Sequence, residues 1–189
     1  MPEGTERSEF TIRGTRWALE LAHGSESERR AAEQIRRILK RHDLARWTFM
    51  RTIRIQDGAI PHSHPVLTLN TRNPDRDDIV LAGFIHEQIH WFLEERAEAA
   101  LGAIDELRAS YPRVPSSPPE GARNQFSTYL HLVVNALEYT ALRDVLGPAE
   151  ADSVMKIQAK RIYRWIYRTV LADFDRIHTV LERHGLLIS

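Results

Sequence analysis

The chain has 189 residues, its 26 Lys and Arg are matched by 26 Asp and Glu, and it has no cysteine. That length suits one domain with a substantial core. Zero net charge argues against charge-driven binding to nucleic acid or an acidic membrane, and the lack of cysteine excludes disulfides, thiolate catalysis and thiolate-ligated zinc.

The opening residues, Met1-Pro2-Glu3-Gly4-Thr5-Glu6-Arg7, contain no apolar run of the kind a signal peptide needs. No stretch reaches the roughly 18 apolar residues of a membrane span, so a soluble cytoplasmic protein is expected. Residues 9–13 predict a short strand. Residues 26–42 form an amphipathic helix with Ala31, Ile35, Ile38 and Leu39 on one side. Residues 47–55 predict a strand that turns Phe49, Ile53 and Ile55 to one face, and 66–70 a shorter one. Between them, His62-Ser63-His64 is bracketed by Pro61 and Pro65. It reads as a turn entering the second strand, because two loop histidines without a third donor hold a metal weakly. The sheet-bearing part thus covers about 9–72.

A helix start is marked by Asn73-Pro74-Asp75-Arg76-Asp77-Asp78, and the pattern continues over about 76–100. Residues 111–121 contain four prolines and predict extended chain. A second apolar helix covers about 123–146 and stops at Gly147-Pro148. A long helix over about 149–184 ends at His184-Gly185. The arginine clusters Arg29-Arg30 and Arg36-Arg37 read as solvated helix surface. No internal repeat is present.

Chemistry concentrates in His86-Glu87-Gln88-Ile89-His90, an H-E-x-x-H pattern. Residues four apart lie on one face of a helix, so both imidazoles can address a single ion. Glu87 lies about 100° around the helix, where it reaches a metal-bound water without binding the metal. Zn²⁺ would lower the pKa of that water toward ~7, and the carboxylate would take its proton. Glu87 is the only charge between Ile79 and Leu93. In a helix this apolar it needs a task or a partner. The plainer alternative is a core helix with two satisfied histidines.

The third ligand separates the subclasses. The positions that a metzincin would fill with Gly and His hold Leu93 and Arg96, and no aspzincin segment follows His90. On the second helix, His131, Asn135 and Glu138 share a face at i, i+4 and i+7. Seven residues of helix is about 10.5 Å, so His131 and Glu138 are alternatives on one ion. Either a His₃ or a His₂Glu set is sound zinc chemistry. Asn135 would support the ligands or bond the backbone.

With the motif helix and a downstream acidic helix, the chain resembles the gluzincins over about residues 47–147. That resemblance implies a small, mainly helical α+β zincin-like fold with a short N-terminal antiparallel sheet. It implies Zn²⁺ held by His86, His90 and Glu138, with Glu87 as base. His131 would line the cleft as a donor to the oxyanion, and Tyr163 or Tyr167 would present a phenol there. The strand at 66–70 would be the sheet edge on which an extended peptide or protein substrate pairs. Leu142 replaces the Asp that gluzincins often place four residues beyond the ligand Glu. The expected activity is that of a zinc peptidase. The alternatives are a zincin-like metal-binding domain with a regulatory role and a metal-free helical interaction protein.

Overall fold

The computed structural model describes residues 5–189. Two compact units divide the chain, one ending at Trp91 and the other beginning at Phe92.

The first unit opens with a hairpin of β1 (Glu6–Ile12) and β2 (Thr15–Leu21). Its two-residue turn, Arg13-Gly14, has φ of 50° and 75°, the left-handed pair that matches the twist of a tight hairpin. The sequence predicted only the first of these strands. In β2, alternation buries Trp17, Leu19 and Leu21. Helix α1 (Glu26–Arg41) then crosses back, so β3 (Thr52–Ile55) lies parallel to β2, and β4 (Leu67–Leu69) parallel to β3. The sheet order is β1-β2-β3-β4. This mixed sheet replaces the antiparallel one expected, because a helical crossover returns the chain to its starting side. Only Thr52–Ile55 of the predicted 47–55 strand is extended in the sheet, after a 3₁₀ turn at Ala45–Trp47.

Helix α1 buries Ala31, Ala32, Ile35, Ile38 and Leu39. Its start is a capping box in which Ser25 accepts from the Glu28 amide. The buried Glu28 carboxylate accepts from the amides of His23 at 2.9 Å, Ser25 at 3.4 Å and Asp57 at 3.0 Å. One side chain thereby ties the exits of β2 and β3 to the helix start.

Strand β4 is an edge strand as expected, but its middle is already paired. Thr68 donates its amide to His62 O at 2.8 Å and accepts from His62 N at 3.1 Å. Leu67, Thr68 and Leu69 are all buried. A peptide adding at Thr68 would have to displace His62.

Helix α2 (Asp77–Glu94) carries the motif and runs across the division between the units. The predicted 76–100 helix is two helices, because Glu95 and Arg96 leave helical geometry before α3 (Ala97–Ser110). The exposed Arg96 guanidinium lies over the Phe92 ring at 4.3 Å.

The second unit is helical. Helix α4 (Gln125–Leu146) packs against α3 and against α5 (Pro148–Gln158), α6 (Arg164–Ala172) and α7 (Phe174–Arg183). Residues 131–139 of α4 are buried on every side, as its continuous apolar pattern requires. The single C-terminal helix predicted over 149–184 is thus three. The first break ends at Tyr163, which is left-handed at φ 52°. The amides of Arg164 and Trp165 donate instead to the carbonyls of Pro119 and Glu120, at 2.8 and 3.0 Å. The proline-rich loop thereby satisfies the start of α6. Among the described residues, no helix is long and apolar enough to cross a membrane.

Replacing Glu28 with Ala should lower unfolding free energy by at least about 2 kcal/mol in urea titration, since it strands several backbone donors at once. Glu28→Gln, which keeps an acceptor oxygen, should lose less.

Candidate metal centre

Three contacts hold the motif helix in place. At its first turn, Asp77 accepts from Arg37 at 2.7 and 3.0 Å and from Gln34 at 3.1 Å. The bond from Arg37 holds the Asp77 carboxyl below the usual carboxylate range. Midway, the fully buried Gln88 accepts from the amides of Phe49 and Met50 and donates to Met50 O, each at 2.7 Å. One amide side chain thus saturates the backbone entering β3. Near the C-terminal end, Trp91 Nε1 donates to Ser63 O at 3.0 Å, and the His64 ring lies 4.0 Å from the Trp91 ring. Gln88 escaped the sequence analysis, although a polar side chain among Ile85, Ile89 and Phe92 was a usable signal.

Within this frame the His86 and His90 rings stand 5.1 Å apart, edge to face. Glu87 is buried beside them, 6 % exposed. The motif forms one helical turn with both imidazoles on one side, as its spacing predicts.

On α4, the buried His131 points Nδ1 at Ser127 O, 2.6 Å away. A carbonyl oxygen only accepts, so that nitrogen carries a proton, and in the neutral imidazole Nε2 presents a lone pair. Metal-bound histidines are commonly oriented in this way, by donating the other ring nitrogen to a carbonyl. The Tyr163 ring lies 4.5 Å from the His131 ring. One turn further along α4, Asn135 is fully buried, and its two amide atoms have no hydrogen-bond partner among the described residues. Two turns along, the fully buried Glu138 accepts from Tyr167 Oη at 3.4 and 3.3 Å.

Among the described residues, the group able to hold a metal is His86, His90 and His131, whose ligand atoms all lie within 4.8 Å of one another. Tetrahedral zinc with nitrogens at ~2.0–2.1 Å spaces its ligands about 3.3 Å apart. Three neutral imidazoles suit zinc, and also copper, nickel or iron.

This geometry differs from the gluzincin expectation in two respects. Histidine 131, not Glu138, is the α4 side chain grouped with the motif pair, while Glu138 takes a phenol hydrogen bond about 10.5 Å of helix away. His131 directs Nδ1 at Ser127 O, so Nε2 is the nitrogen left to meet a ligand. The Tyr163 ring is tilted at 54° against His131, and Tyr167 directs its hydroxyl to Glu138. Compared with known protein families, curated proteins and solved structures, the chain has no match in any of the three.

His131→Ala should abolish stoichiometric zinc by elemental analysis of the purified protein, whereas Glu138→Gln should retain it. Zinc lost from the Glu138 variant and kept by the His131 variant would restore the His₂Glu set.

Proposed function

We propose that the protein is a zinc-dependent hydrolase of peptide-type carbonyl substrates, with His86, His90 and His131 as the metal ligands and Glu87 as the base. The observation that carries this is the buried Glu87 carboxylate, adjacent in the chain to one histidine of a three-imidazole group. Bound zinc would supply a Lewis acid and a water of lowered pKa. Metal retention alone does not call for an acid at position 87, but hydrolysis does.

Glu87 accepts a proton from the attacking water as the new C–O bond forms, and returns it to the nitrogen as the C–N bond breaks. One water is consumed and the carboxylate is regenerated. His86 and His90 owe their shared direction to the helix, and that helix is immobilised by Gln88 and Trp91. His131 owes its orientation to Ser127 O. Catalytic groups held on rigid elements keep the geometry that proximity effects require.

Glu87→Gln should retain one zinc per chain while hydrolysis of a peptide library falls by at least about 10³-fold. Hydrolysis that survives intact would leave the protein a metal-binding module, and zinc lost with the carboxylate would show that Glu87 acts on the metal itself.

A further inference from the structure

Asn135 has no role in the scheme above, yet its position is the most costly on α4. It is 0 % exposed, and neither amide atom has a hydrogen-bond partner among the described residues. A buried polar group left unpaired costs on the order of 1–3 kcal/mol. Leucine, which has the same branched side-chain skeleton as asparagine, would remove that cost at the expense of some added volume. The neighbouring polar groups on the same helix are paired: His131 with Ser127 O, Glu138 with Tyr167, and Thr140 with Ala136 O.

The location gives the unpaired amide a meaning. Asn135 follows His131 by four residues, the same offset that separates His86 from His90. The His131 imidazole and the Asn135 amide therefore leave α4 on one side, a turn apart. Three imidazoles occupy three positions of a tetrahedral ion and leave the fourth for an exogenous oxygen ligand. A primary amide offers that ligand one donor and one acceptor together.

We propose that Asn135 binds the exogenous oxygen ligand of the metal centre and selects for an amide. Nδ2 donates to the ligand's carbonyl-type oxygen, and Oδ1 accepts from the N–H beside it. An ester has no such hydrogen and would leave Oδ1 unpaired, which is the form of mismatch that gives strong discrimination. The inference rests on the three-histidine reading of the metal site and adds a substrate class to it.

Cobalt(II)-loaded protein, whose d–d absorption reports coordination, should be titrated with acetohydroxamic acid and with N-methylacetohydroxamic acid, which lacks the N–H. The wild type should prefer the first by about tenfold or more. Asn135→Leu and Asn135→Ala should lose that preference while their cobalt affinity stays within about threefold of wild type. Apo Asn135→Leu should melt at or above the wild-type temperature, because it removes an unpaired buried amide. A preference that persists in both variants overturns the proposal. So does a tenfold loss of cobalt affinity with altered absorption before any hydroxamate is added, since the amide would then be a metal ligand. Wild-type protein that binds cobalt but does not discriminate defeats this inference alone, whereas wild-type protein that binds no cobalt defeats the three-histidine site beneath it.

Discussion

The middle of α4 has no solvent face, so each polar side chain there must find a partner in the interior. That constraint organises the second unit. Thr128 donates to Pro115 O at 2.7 Å and anchors the proline-rich loop. Tyr129 donates to Tyr111 O, also at 2.7 Å, and Tyr139 is bonded to Asp152 of α5. Burial and that carboxylate push the Tyr139 phenol up to about 12, so it remains a donor throughout the physiological range. These bonds tie α4 to the proline-rich segment and to α5, and the helix serves as the post on which the unit is hung. Against this pattern, His131 stands out for a carbonyl bond that fixes its Nδ1, and Asn135 for an amide with no hydrogen-bond partner among the described residues.

The motif helix is constrained differently. Its flanks are apolar, and polar pins fix it at its start, middle and end. Asp77 fixes the start against α1, Gln88 fixes the middle against the chain entering β3, and Trp91 fixes the end against Ser63. Hydrogen bonds are directional where apolar packing is not. A metal site tolerates errors of only a few tenths of an ångström in ligand position, so a helix that presents two imidazoles benefits from pins on both sides of them.

Tyr163 shows how local strain is held in place. A left-handed conformation at a residue with a bulky side chain costs on the order of 1–2 kcal/mol. Here it is offset by the amides of Arg164 and Trp165, which bond the Pro119 and Glu120 carbonyls, and by the ring contact with His131. The Arg168–Glu120 ion pair adds to the same junction. The strained residue thus sets both the break before α6 and the wall beside the His131 imidazole.

Several features were legible in the residues themselves. The apolar period of α1, the bounds of α4 from its periodicity and Gly147-Pro148, and the shared face of His86 and His90 are all local properties, governed by helix geometry and by signals within a few positions. The mixed sheet, the three-way split of the C-terminal helices and the pairing of His62 with Thr68 were not legible. The first two depend on hydrogen bonds to residues distant in sequence or on the path by which a crossover returns the chain, and the third on a loop with no regular period. The choice between His131 and Glu138 belongs to the same class. Spacing along α4 established that the two are alternatives on one ion, because helical rise separates them. Which of them would join the motif histidines depends on long-range placement, which no local signal on α4 encodes.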